Sequence, residues 1–103
     1  MHQVMLDSGV FPLAGIRVRA FRADHVVIAD RQRENAYIDM VLRMGEGRAP
    51  EDRERVGEAI MQIATDACSG LMATPHFALS LEIVEISRQF SWKKNSMHAR
   101  LSG

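Results

Sequence analysis

Cysteine, lysine and long apolar runs are scarce in this sequence of 103 residues. Cys68 is the only cysteine, which excludes a disulfide framework and a cysteine-rich metal site, and its helical position predicts a buried, inert thiol. No run of 18 apolar residues occurs, and the start does not resemble a charged-then-apolar leader. We therefore expect a cytoplasmic protein that does not enter a membrane.

An excess of positive charge is also lacking. Lys plus Arg and Asp plus Glu number 13 each, so the formal net charge is zero, whereas a nucleic-acid-binding domain normally carries a basic excess. Of the basic residues, only Lys93 and Lys94 are lysine. Arginine is the side chain best suited to planar, bidentate contacts with carboxylates. With 47% apolar and 25% charged residues, we expect a single domain over residues 1–103.

Hydrophobic periodicity predicts alternating strands and one long amphipathic helix. In chain order the predicted elements are the end of a helix over 1–7, strands over 15–22 and 26–29, a polar hairpin tip over 30–35, a strand over 36–44, a helix over 50–73 and a strand over 77–86. We expect the first strands to pair antiparallel with the strand over 36–44. The strand–helix–strand unit over 36–86 should form a parallel, right-handed crossover.

Arg17 and Arg48 are the candidate ligand-binding residues. Arg17 follows Gly15 at the start of a predicted strand, and Arg48 follows Gly47 at the end of another. Glycine lets a ligand approach the backbone closely, so these arginines are suited to gripping a substrate with more than one carboxylate. The alternative is that both are ordinary surface arginines. The four histidines lack the spacing of metal ligands, and we predict no metal site.

Four short motifs resemble one enzyme family. They are Gly-Val-Phe-Pro-Leu-Ala-Gly-Ile-Arg over 9–17, Leu-Arg-Met-Gly-Glu-Gly-Arg over 42–48, Leu-Ser-Leu-Glu-Ile over 79–83 and Lys-Asn-Ser-Met-His over 94–98. In order and spacing they resemble the 5-carboxymethyl-2-hydroxymuconate Δ-isomerase family of the tautomerase superfamily. The first motif is the most specific of the four.

The resemblance implies an α+β, tautomerase-like βαβ sandwich, with a mixed sheet of the four-stranded type and helices on one face. It implies a homotrimer with sites between subunits, and proton transfer within an unsaturated di- or tricarboxylate of aromatic-acid (homoprotocatechuate) catabolism. No metal or organic cofactor is implied. Arg17 and Arg48 fall on the family's two substrate-binding arginines. We also expect Phe90 and Trp92, on a C-terminal arm, to dock onto a neighbouring subunit.

One departure from the family concerns the catalytic base, which in this superfamily is an amino-terminal proline. Here His2 follows Met1, and the three prolines are Pro12, Pro50 and Pro75. Aligned on Arg17, the sequence lacks the family's first strand and most of its first helix, so we expect a domain incomplete at its amino terminus. This leaves two functions open: an isomerase of the hydroxymuconate type, or a catalytically inactive carboxylate-binding or structural subunit.

Overall fold

The computed structural model describes residues 1–101 and has an α+β architecture. Its elements, in chain order, are α1 (His2–Asp7), a 3₁₀ turn (Leu13–Gly15), β1 (Ala36–Gly45), α2 (Pro50–Ala67), α3 (Ser69–Met72), β2 (Phe77–Ile86) and α4 (Met97–Leu101). The predicted strands over 36–44 and 77–86 are confirmed to within one residue.

β1 and β2 form a parallel pair connected by α2, as predicted. Their register runs from Ala36 opposite Phe77 to Gly45 opposite Ile86, so both ten-residue strands end at the same edge. Pro50 takes the first position of α2, where a missing N–H costs no helical hydrogen bond. α2 ends at Ala67 instead of continuing to residue 73, because the backbone leaves the helical region at Cys68 before α3 begins.

The core lies between α2 and one face of the sheet. Val56 and Ile60 of α2 pack with Leu42 of β1, and Met5 of α1 and Ile16 complete the cluster. α1 is too short to be stable alone, so its packing on α2 holds it in place. α1 ends at Asp7, as predicted. Gly9 follows its C-terminal cap, Ser8, and adopts a φ of +71°, which ends the helix.

The predicted strands over 15–22 and 26–29 are wrong. Between Ile16 and Asn35 no residue belongs to a strand, and the sheet of the described residues contains only β1 and β2. Alternation of apolar and polar residues favours an extended backbone, but a strand also needs a partner for its N–H and C=O groups. The predicted antiparallel pairing with β1 is therefore absent from residues 1–101, where the sheet consists of the parallel pair β1 and β2.

A large apolar surface remains uncovered in this single chain. Every residue from 17 to 27, here called the exposed segment, is accessible to solvent, including Phe21 and Val27 at 84% and 80% exposure. The radius of gyration is 16.4 Å, against about 13 Å for a compact domain of this length. Among residues 1–101, no helix is both long and apolar enough to cross a bilayer.

Candidate functional site at the carboxyl end of the sheet

The candidate site begins with the turn that connects β1 to α2. Gly45 is the last residue of β1, and Gly47 adopts a φ of +96°, a conformation that side-chain-bearing residues rarely adopt. Two residues after Arg48, α2 begins at Pro50, with no side chain capping its amino terminus. Carboxyl ends of parallel strands and amino termini of helices are common locations for anionic ligands. The turn therefore lies where a carboxylate could bind.

Arg48 is held at this edge by contacts with residues remote in sequence. Its Nε donates to the carbonyl oxygen of Val10 at 3.1 Å, and its Nη1 donates to the carbonyl oxygen of Gly45 at 3.3 Å. The guanidinium also lies over the Phe11 ring, 5.6 Å from the centroid. Among residues 1–101 its remaining N–H groups have no hydrogen-bond partner. Arg48 is half-buried, so it is an oriented cation and not a freely moving surface charge.

Arg17 has a different environment. It follows the buried Ile16 directly and begins the exposed segment. Within residues 1–101 its side chain makes no hydrogen bond or ion pair and shares no partner with Arg48, so their joint action stays a prediction. Arg19 lies over the Phe21 ring, 5.1 Å from its centroid, and is exposed.

Arg88 and Glu46 also belong to this edge, and the sequence analysis selected neither as a candidate site residue. Arg88 follows β2 by two residues, and its Nη2 donates to the carbonyl oxygen of Glu46 at 3.0 Å. The backbone N–H of Arg88 donates to Glu46 Oε1 at 2.8 Å. A signal was available, since the ends of two predicted parallel strands meet at one edge and bring their following residues together. Glu46 lies within the motif over 42–48, whereas Arg88 lies in none of the four motifs.

The histidines and Cys68 do not form a metal site. In the part of the chain that the structure describes, no three His, Cys, Asp or Glu side chains come together so as to hold a metal ion. Cys68 is half-buried and free, so its predicted full burial is not observed. His76 Nδ1 lies 3.0 Å from Asn35 Oδ1.

The same Asn35 amide connects His76 to a carboxylate. Its Nδ2 donates to Asp30 Oδ1 at 2.7 Å and to the carbonyl oxygen of Ile28 at 3.2 Å. The hydrogen bond from Asn35, followed by one from the Gln32 backbone, lowers the pKa of Asp30. Because Asn35 Oδ1 can only accept, His76 Nδ1 must be the donor. This network holds the turn before β1 against the start of β2 and has a structural role.

Comparisons with known proteins decide the family. Residues 1–101 match the family described as 5-carboxymethyl-2-hydroxymuconate isomerase. The chain belongs to this family. It is 38% identical over 99 residues to the 5-carboxymethyl-2-hydroxymuconate Delta-isomerase of Escherichia coli, which covers 96% of this chain and 79% of the relative.

Solved structures of the isomerase family share the fold. A crystal structure of a 5-carboxymethyl-2-hydroxymuconate isomerase from Deinococcus radiodurans R1 superposes with a TM-score of 0.90 at 36% identity, covering 95% of this chain and 75% of that one. A second structure, of a 5-carboxymethyl-2-hydroxymuconate delta-isomerase, gives 0.75 at 27% identity, covering 96% and 78%. The predicted α+β, tautomerase-like fold class and membership of an enzyme family are confirmed.

Proposed function

We propose that this protein isomerises an unsaturated polycarboxylate of the 5-carboxymethyl-2-hydroxymuconate type, in the breakdown of aromatic acids. Family membership and the activity named for the Escherichia coli relative support the reaction class. The observation that carries the proposal is the fixed orientation of Arg48 at the carboxyl end of β1, with N–H groups left for a ligand. The substrate is a small-molecule di- or tricarboxylate, and we propose no metal or organic cofactor.

The proposed chemistry is the movement of one proton within the substrate. A base removes the proton from one position, a dienolate forms, and the proton returns at another carbon, so the molecule is neither oxidised nor reduced. Arg17 and Arg48 would hold carboxylates and stabilise the negative charge of the dienolate. A positioned cation in a site shielded from water stabilises such charge more strongly than solvent does.

The proposed chemistry also requires a catalytic base. The nitrogens of Pro12, Pro50 and Pro75 are amide nitrogens within the chain, and an amide nitrogen has no basic lone pair. A second candidate function is that the protein binds carboxylates, or supports an assembly, without rapid turnover. Loss of a positioned general base costs about 10²–10⁴-fold in rate.

We also propose that the protein works as a homotrimer in the cytoplasm. The exposed segment, together with Phe90 and Trp92 at 69% and 84% exposure, leaves an apolar surface that another subunit would cover. The outer face of the sheet contributes Tyr37 and Val41, at 50% and 56% exposure. A cytoplasmic location agrees with the single free thiol of Cys68. Sedimentation equilibrium tests the assembly, and a monomer at micromolar concentration would exclude it.

Substrate binding and turnover are tested separately. Binding of 5-carboxymethyl-2-hydroxymuconate is titrated by calorimetry, and its isomerisation is followed by ultraviolet absorbance. Arg17→Ala and Arg48→Ala should each weaken binding by about tenfold or more, as expected for a lost charge-assisted contact. Arg22→Ala, in the same exposed segment as Arg17, and Arg43→Ala, on the outer face of β1, serve as matched controls.

The outcomes distinguish the two functions. Binding with turnover supports the isomerase, and binding without turnover supports the carboxylate-binding subunit. Unchanged affinity in both arginine variants would remove the site assignment altogether.

A further inference from the structure

Two arginines from different strand ends reach the same turn. Arg48 Nη1 donates to the carbonyl oxygen of Gly45, and Arg88 Nη2 donates to that of Glu46, the next residue. Consecutive Cα atoms are only about 3.8 Å apart, so both guanidinium groups contact the same short stretch of backbone. A Cβ at Gly47 would collide with Arg88 Nη2, so the absence of a side chain there is what admits this guanidinium to the turn.

The two arginines are held to different degrees. Arg48 has two backbone acceptors and an aromatic ring, and it is half-buried. The Arg88 side chain is 75% exposed, and its Nε lies 3.9 Å from Glu46 Oε1, the length of a loose ion pair. An exposed ion pair of this kind contributes little stability, so a ligand carboxylate can bind the Arg88 guanidinium while Glu46 Oε1 keeps its hydrogen bond from the Arg88 backbone N–H at 2.8 Å.

A third cation nearby is already engaged. Arg53, in the first turns of α2, pairs with Glu85 at 3.0 Å. Among the basic side chains at this edge, within residues 1–101, Arg88 is thus the one that is both highly exposed and held by only a long ion pair. Glu51 and Asp52, in the first turn of α2, add negative charge at the helix end. These acidic side chains oppose anion binding at the helix end, so the attraction for an anion at this edge comes from Arg48 and Arg88.

The ligand in the names of the relatives has more carboxylates than there are candidate arginines to bind them, since Arg17 and Arg48 are only two. 5-Carboxymethyl-2-hydroxymuconate carries the two carboxylates of muconate and one on its carboxymethyl group. We propose that Arg88 binds a carboxylate beside Arg48 and thereby makes the site select tricarboxylates over dicarboxylates. This inference rests on the proposed function and adds a specificity-determining residue to that same site.

The test compares two probes that differ by one carboxylate. Glutarate and propane-1,2,3-tricarboxylate are titrated into the full chain by calorimetry at low ionic strength, and the ratio of their Kd values gives the preference. Arg88→Gln should weaken tricarboxylate binding by about tenfold, the loss of one charge-assisted contact, and leave glutarate binding within about twofold. Glu46→Gln should strengthen tricarboxylate binding by a few-fold, because it removes the competing carboxylate. Arg43→Gln, on the outer face of β1, is the control.

Three results would overturn the assignment of Arg88. The first is that the wild-type protein shows no preference for the tricarboxylate. The second is that Arg88→Gln leaves the ratio of the two Kd values unchanged, and the third is that Glu46→Gln weakens tricarboxylate binding. Arg48→Ala separates this failure from that of the proposed function. If Arg48→Ala weakens glutarate binding and Arg88→Gln changes nothing, only the Arg88 assignment is wrong. If Arg48→Ala leaves glutarate binding unchanged, the proposed site itself is wrong. Thermal unfolding of each variant verifies that it is folded.

Discussion

Replacing Arg48 by lysine tests whether this residue supports the fold as well as the candidate site. Lysine keeps the positive charge but lacks the planar fork with which arginine reaches two acceptors at once. In the native protein Nε donates to Val10 and Nη1 to Gly45, at 3.1 and 3.3 Å. An ammonium group at this position can replace one of these bonds, and the other carbonyl oxygen then loses its donor.

The expected cost follows from these contacts. Each intramolecular hydrogen bond contributes about 1 kcal/mol net, and the stacking of the guanidinium on Phe11 adds about 0.5–1 kcal/mol. Arg48→Lys should therefore destabilise the protein by about 1–2 kcal/mol, and Arg48→Ala by about 2–3 kcal/mol. For a domain of this size, the lysine variant should unfold about 5–10 °C below the wild type.

Thermal unfolding followed by circular dichroism, without ligand and at one protomer concentration, measures this effect. The concentration must be fixed because subunit association would shift the Tm by mass action. Arg43→Lys, an exposed change on the outer face of β1, should alter stability by less than about 0.5 kcal/mol. An Arg48→Lys variant that unfolds within 2 °C or so of the Arg43→Lys control would refute a structural role for Arg48.

Two further predictions concern backbone conformation and charge. Gly47→Ala should lower the free energy of unfolding, measured in urea, by about 1–3 kcal/mol, because a φ of +96° strains any residue with a side chain. The control is Gly70→Ala, which lies in a helix with open space around the added Cβ and should not destabilise the protein. Asp30 should titrate below the ordinary pKa of an aspartate in a carbon-detected NMR titration, and Asn35→Ala should move its midpoint upward. Since the pKa of folded Asp30 is lowered, its contribution to stability is present above the unfolded pKa and is lost as pH falls through the folded pKa. An unchanged midpoint in Asn35→Ala would contradict the assigned cause.

The sequence predicted those elements whose local pattern and tertiary packing agree. Val56 and Ile60 recur at helical spacing, and both are buried against the sheet. In the exposed segment, the alternation of apolar and polar residues indicates an extended backbone. A local pattern does not show whether a pairing partner is present, and residues 1–101 do not supply one. The end of α2 before Cys68 could not be predicted either, because the helical spacing of apolar residues continues past Cys68 to Leu71.

The residues of the candidate site likewise differ in whether the sequence alone could identify them. Arg48 is adjacent in sequence to the Gly45–Gly47 turn, so motif reading could find it. Arg88 reaches that turn from 42 residues beyond Glu46, and only the register of the sheet brings it there. A shift of one residue in the pairing of β1 with β2 would reverse which side chains of the moved strand face the core and would carry Arg88 away from Glu46.

The equal length of the two strands therefore matters as much to this edge as the identity of its arginines. β1 and β2 pair over ten residues each, from Ala36 opposite Phe77 to Gly45 opposite Ile86, so their following residues emerge together. Leu42 fixes this register from the core side, because it is buried and a slip would expose it. A core residue that never contacts the ligand thus helps to determine the spacing of the cations that would bind it. Changes in core packing that loosen the register should consequently weaken carboxylate binding even when Arg48 and Arg88 are intact.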